Sequence, residues 1–234
     1  MTGALPAAAP APRLLGSYDD GDWVALVLED VDGRQPHVPW RRDDLDRVVP
    51  ALEGMSRALT AVPLSDVPRL DDEVAEDFTA WDRLADEPPP DLDPWVVRHL
   101  DGLAALGRRS VQALAGDTLV HGDLRADNLL LSSGRVVVVD WPWASLGAGW
   151  ADLVFFALNP ALYGGHDPDL LLGRAKLLRD VDPDDVTAVV AGMAAYFAEA
   201  CRRPAVERMP TIRAFQRAQG DVCLAWVRRR TGWD

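Results

Sequence analysis

Between Leu119 and Trp143 a polar octet, His121-Gly122-Asp123-Leu124-Arg125-Ala126-Asp127-Asn128, lies between short apolar runs, and Asp140-Trp141 closes the valine run that follows. A carboxylate in such a loop can orient a substrate hydroxyl and accept its proton. An amide oxygen five residues later, and a second carboxylate just past the next strand, can hold Mg²⁺ against the phosphates of ATP. The alternative is an ordinary β-hairpin with polar turn residues. Octet, valine strand and terminal Asp-Trp nonetheless stand here in one order and spacing, which favours the chemical reading.

The elements that must position these groups follow from periodicity. Leu119-Val120 and Leu129 to Leu131 read as strands flanking the octet, and a Ser132 to Arg135 turn leads into Val136 to Val139. Upstream, Arg13 to Tyr18 and Trp23 to Leu28 predict a hairpin around Asp19-Asp20-Gly21-Asp22. The second of these strands is almost continuously apolar, which predicts burial. Asp43-Asp44 is expected to cap a helix carrying Leu45, Val48, Val49, Leu52, Met55 and Leu59, ended by Val62-Pro63. Further helices are expected over Asp71 to Leu84, from Pro94 to about Leu114, and over Asp152 to about Leu158, Pro168 to Arg179, Pro183 to Arg202 and Thr211 to Arg230. Ser145 to Gly149 reads as a loop.

Composition narrows the function classes. The chain has 234 residues, 48% of them hydrophobic, enough for a sizeable core. A net charge of −13 argues against nucleic acid or an anionic membrane as main partner. It fits a cationic ligand, or simply a solvated acidic surface. No apolar run approaches the roughly 18 residues that span a bilayer. The Ala/Pro-rich start is broken by Pro6, Pro10 and Pro12 and lacks a basic region, so it is a poor signal peptide. Cys201 and Cys223 show no metal spacing and read as reduced, buried thiols, so the expected compartment is the cytoplasm.

The octet follows the order of the protein-kinase loop H-R-D-L-x-x-x-N with a metal-binding Asp downstream, but Gly122 replaces Arg and Asp140-Trp141 replaces Asp-Phe-Gly. With those departures the stretch resembles the aminoglycoside phosphotransferase family of kinase-like small-molecule phosphotransferases, whose loop reads H-G-D-x-x-x-x-N. The resemblance implies an α+β, protein-kinase-like fold, here mostly the helical lobe with its catalytic β-hairpin. It implies that Asp123 is the catalytic base, that Asn128 and Asp140 are Mg²⁺ ligands, and that His121 and Asp152 brace the loop. Leu28, Glu29, Asp30 and Val31 match the hinge whose backbone meets the adenine. Residues 1–33 would then be a remnant of the small lobe, and 34–234 the catalytic lobe. The implied reaction is transfer of phosphate from ATP·Mg²⁺ to a small-molecule hydroxyl.

Other features of that family are not found. The residues before the second strand hold no Gly-rich phosphate loop, and the single lysine, Lys176, lies beyond the catalytic stretch. Three origins fit: a start codon placed too far downstream, a truncated product, or a remnant that binds without phosphorylating. Ala4 to Pro12 would suit the end of a small-lobe helix, which favours the first. A chain lacking those strands is expected to expose apolar surface around Leu14, Leu15 and Trp23. Arg125 can either fork onto the transferred phosphate or pair with Asp127 or another surface carboxylate.

The acceptor is less legible. Asp71, Asp72, Glu73, Glu76, Asp77, Asp82, Asp86 and Glu87 can present carboxylates to an amine, although such a run is more often a solvated helix face. Trp141, Trp143, Trp150 and Trp226 can line a pocket or fill the core. His37, His99 and His166 lack metal spacing and read as surface or packing residues.

Overall fold

The computed structural model describes residues 5–61, 64 and 66–234. It opens with β1 (Leu14–Asp19) and β2 (Val24–Leu28), an antiparallel pair. Their turn is held by the Asp20 carboxylate, which accepts the backbone N–H groups of Asp22 at 3.0 Å and Trp23 at 2.8 Å. The expected burial of β2 is not found: Val24 is 66% and Val27 60% exposed, beside Trp23 at 77%. An apolar strand calls for a covering layer, and none of the described residues covers either face of this two-stranded ribbon. Leu14 and Leu15 are exposed with it.

β3 (Gly33–Arg34) pairs with β5 (Leu129–Ser132), and β5 with β6 (Val136–Val138), in one antiparallel sheet. β4 (Thr118–Val120) pairs with β7 (Ser145–Gly147) in another. Neither β3 nor β7 is signalled by the sequence, because two- and three-residue strands exist only through their partners. β7 replaces part of the loop expected at Ser145 to Gly149.

α1 (Arg42–Ala58) buries the expected stripe from Leu45 to Leu59. Its expected end at Val62-Pro63 lies outside the described residues. The expected cap is corrected: Arg41 precedes the first turn, and Asp44 is drawn inward instead. The Asp44 carboxylate accepts from Arg34 at 2.6 Å, from the His37 backbone N–H at 2.8 Å, and sits 2.7 Å from His37 Nδ1. Burial alone would raise this carboxyl, but those bonds hold it well below the usual carboxylate range. They pin the segment after β3 onto α1.

Two long helices predicted from sequence are each bent into two. α2 (Leu70–Phe78) and α3 (Ala80–Asp86) meet at Thr79, whose hydroxyl bonds back to the Ala75 carbonyl at 2.7 Å. α4 (Pro94–Arg98) and α5 (Leu100–Ala113) meet at His99. α6 (Ala151–Gly164) runs past its expected end to a left-handed cap at Gly165. α7 (Pro168–Leu172) is shorter than expected, and a 3-10 turn at Lys176–Leu178 follows it.

α8 (Pro183–Ala200) is the central helix, packed against α5, α2 and α9 (Ile212–Thr231). Its small residues permit this. A Cβ on Gly192 would lie 2.3 Å from the Phe78 ring, so only glycine lets α2 approach. Cys201 and Cys223 are buried and unpaired, and burial pushes the Cys223 thiol far up. No helix among the described residues is long and apolar enough to cross a membrane.

Candidate active site

The octet leaves β4, passes over the start of α6, makes a 3-10 turn at Ala126–Asn128 and enters β5. Two features of the chain fix its path. Asp152, in the first turn of α6, accepts the backbone N–H groups of His121 at 2.8 Å and Gly122 at 2.9 Å. Burial pushes the Asp152 carboxyl up, opposed by both N–H bonds. Asn159, two turns further along α6, accepts from the Ala126 N–H at 3.3 Å and from the Trp40 indole at 2.8 Å.

His121 is fully buried, edge-on to Trp141. Its Nε2 lies 2.9 Å from the Val139 carbonyl, and its Nδ1 accepts the Asp123 N–H at 3.2 Å. One neutral tautomer, protonated at Nε2, satisfies both contacts. The imidazole thus ties the octet to the strand that delivers Asp140.

Asp123 is partly open to a cleft, with its side chain 32% exposed. Desolvation raises its carboxyl above the ordinary aspartate range, and the positive charge of Arg125 opposes that rise. Asn128 donates from Nδ2 to the Asp123 carbonyl at 2.8 Å and to carboxylate Oδ2 at 3.3 Å. The Asn128 carbonyl accepts the Val139 N–H at 3.0 Å, and Leu129 pairs with Val138. Asn128 and Asp140 are therefore delivered by neighbouring strands at the same sheet end.

Asp140 is exposed and has φ of +64°, a left-handed conformation that a non-glycine residue adopts at some cost. No group of three or more His, Cys, Asp or Glu close enough to share a metal occurs among the described residues. Two protein ligands, one an amide, suit Mg²⁺ that shares phosphate oxygens, because Mg²⁺ keeps few protein ligands.

Arg125 follows the second of its two expected behaviours. Its Nε and Nη2 reach Asp127 at 3.2 and 2.9 Å, and Asp123 lies 3.7 Å away. The segment Leu28 to Val31 runs beside the β5–β6 turn. Glu29 Oε1 accepts from Arg135 at 3.1 Å, and Oε2 from the Arg13 N–H at 3.2 Å. Leu28 ends β2, and the backbone groups of Asp30 and Val31 have no partner among the described residues.

The cleft beside Asp123, about 400 Å³, is walled by α2, α6, α8, α9 and the loop. It takes Glu73 and Asp77 from the acidic run, and Trp143, which is 65% exposed. Phe155, Met193, Tyr196 and Phe215 complete it, and sequence reading missed them. They sit on apolar helices whose pattern signals only a core. Of the other tryptophans, Trp141 and Trp226 are core residues. His37, His99 and His166 each contact a carboxylate or backbone carbonyl, as structural residues do.

A family model described as "Phosphotransferase enzyme family" matches residues 2–205. No curated protein matches the chain. Among solved structures, an aminoglycoside phosphotransferase from Alicyclobacillus acidocaldarius superposes with a TM-score of 0.66 at 15% identity, covering 97% of this chain and 78% of that one. Choline kinase LicA from Streptococcus pneumoniae gives 0.58 at 15% identity, covering 92% and 75%. A thermostable mutant of aminoglycoside phosphotransferase APH(4)-Ia, solved in ternary complex with AMP-PNP and hygromycin B, gives 0.61 at 16% identity, covering 99% and 81%. At these identities the likeness is one of fold, the α+β, kinase-like fold expected from sequence.

Proposed function

Since this chain belongs to the phosphotransferase enzyme family, we propose that it transfers phosphate from ATP to a hydroxyl of a small molecule, in the cytoplasm. The observation that carries the reading is the meeting of Asp123, Asn128 and the end of β6 in one hydrogen-bonded frame. Asp123 orients the acceptor hydroxyl and takes its proton. Asn128 Oδ1 and the Asp140 carboxylate would hold Mg²⁺, which would supply charge neutralisation at the phosphates. Residues Leu28 to Val31 offer backbone groups to the adenine. Arg125 stands two residues past the base, where release from Asp127 would turn its guanidinium to phosphate oxygens. In this reading residues 1–33 are a remnant of the small lobe and 34–234 the catalytic lobe.

The rival reading is a binding module that keeps the groove without the chemistry. It is favoured by the single lysine, Lys176, which is exposed in the turn after α7 rather than on a strand facing the phosphates. Two variants separate the readings. Asp123→Asn is expected to lower phosphate transfer by about 10²-fold while leaving ATP affinity within a few-fold. Asp140→Ala is expected to abolish Mg²⁺-dependent ATP binding by calorimetry. Full turnover in Asp123→Asn would remove that residue as base. ATP·Mg²⁺ binding without transfer to any hydroxyl compound would leave the binding module.

A further inference from the structure

The cleft beside Asp123 is chemically lopsided. Most of its wall is apolar or aromatic, from Val74 and Trp143 to Phe155, Met193, Tyr196 and Phe215. Its charged groups are Glu73, Asp77, Asp123 and Arg125. Three of these four have an ionic partner on this chain. Arg125 is forked onto Asp127. Asp77 accepts from Arg203 at 2.9 Å, and Arg203 belongs to a network with Glu199 and Arg83. Asp123 faces the reacting hydroxyl and lies 3.7 Å from Arg125. Glu73, in the first turn of α2, stands exposed at the cleft and makes no ion pair and no side-chain hydrogen bond among the described residues.

We propose that the acceptor is an alcohol with a largely apolar, aromatic-compatible body and a single ammonium group, which pairs with Glu73. This rests on the reading of Asp123 as the base of a phosphotransferase. The charge count decides the class. A polycationic aminosugar would place its further ammonium groups against an apolar wall, and each desolvated charge without a partner costs several kcal/mol. The cleft volume, about 400 Å³, falls in the range of sites for drug-sized ligands, so a very small amino alcohol would leave much of the wall wet. Trp143, largely exposed at the cleft, supplies a rigid face on which an aromatic body can stack and near which an ammonium is favoured, whereas the Tyr196 ring already carries Arg203 at 6.0 Å.

The test is calorimetric binding to the full chain, which needs no turnover. The probes are propranolol (aryl body, one amine, one hydroxyl), its diol analogue with the amine replaced by hydroxyl, choline, and hygromycin B. Propranolol is expected to bind roughly tenfold or more tighter than choline or hygromycin B. Glu73→Gln is expected to weaken propranolol by about fivefold, as for a pair at an exposed carboxylate, and the diol less than about twofold. Asp77→Asn, whose carboxylate is already partnered, is expected to cost less than about threefold. Equal or tighter binding of hygromycin B, equal losses for propranolol and diol in Glu73→Gln, or no binding of any probe overturns the proposal. ATP·Mg²⁺ titrated into the same preparation keeps the two readings apart. Nucleotide binding without propranolol binding sinks only the acceptor class. Propranolol binding without nucleotide binding sinks the phosphotransferase reading.

Discussion

The Asn128 side chain turns its nitrogen to Asp123, with Nδ2 2.8 Å from the backbone carbonyl and 3.3 Å from Oδ2 of the carboxylate. Its Oδ1 is thereby left for a cation. In the proposed mechanism one amide would serve two charges of opposite sign, donating to the base and ligating a metal. An aspartate at the same place would do only the second.

Asn128→Asp is therefore expected to separate binding from turnover. Metal·nucleotide affinity should stay within about threefold, because a carboxylate also ligates Mg²⁺. Turnover should fall by about 10²-fold, since a second carboxylate beside Asp123 raises its pKa and removes a donor. Asn128→Ala should lose both. Calorimetry with ATP·Mg²⁺ beside steady-state transfer checks this, and identical behaviour of the two variants would exclude the dual role.

The pH profile should carry the signature of a desolvated base. Asp123 works deprotonated, so turnover should rise with pH through a limb lying above the usual aspartate value of about 3.9. The Arg125 charge opposes the rise, so Arg125→Ala should move the limb further up. The measurement is turnover against pH at saturating substrates. A limb at or below the ordinary value, or one that Arg125→Ala lowers, would contradict the assignment.

Asp44 should make the fold acid-sensitive. Its folded-state carboxyl is depressed, so its contribution to stability is present above the unfolded value of about 3.9 and is lost as pH falls toward the folded one. Asp44→Asn should cost about 2 kcal/mol at neutral pH, less than a fully buried pair because Arg34 is half-exposed. The variant should also lose part of the acid dependence. Denaturant unfolding at pH 7 and again below about pH 3, inside the window where the contribution is lost, tests both statements.

The β1–β2 ribbon should drive self-association. Trp23 and Val27 on one face of the ribbon, and Val24 and Leu26 on the other, are exposed apolar side chains on strands with no further strand beside them among the described residues. Sedimentation should show weight-average mass rising with concentration, and Val27→Glu should reduce the effect. A monomer at every concentration tested would show that the ribbon is harmless as it stands.

The catalytic order was legible because it is local. Octet, turn, valine strand and Asp140 are contiguous, so strand period and turn chemistry place them without tertiary information. The helix bends at Thr79 and His99 were not legible, since each hydrophobic stripe continues across its bend. Burial of β2 was misjudged for a related reason: a strand's composition states what it needs, not what covers it. The acidic run split in a way no periodicity reveals. Glu73 and Asp77 enter the cleft, and Asp77 meets an arginine 126 positions away. Asn159 was missed because its hydrogen bonds to Ala126 and Trp40 depend on where α6 docks.

Gly122 has φ of +81°, and a Cβ there would stand 3.0 Å from the Trp143 carbonyl oxygen. Protein kinases carry Arg at this position of the loop, and they order their activation loops through new arginine–phosphate pairs. No such side chain fits here without displacing the backbone of Trp143. The loop thus has no receiver at Gly122 for a covalent phosphate signal, and Asp152 already holds its geometry. Control through that position is closed to this fold.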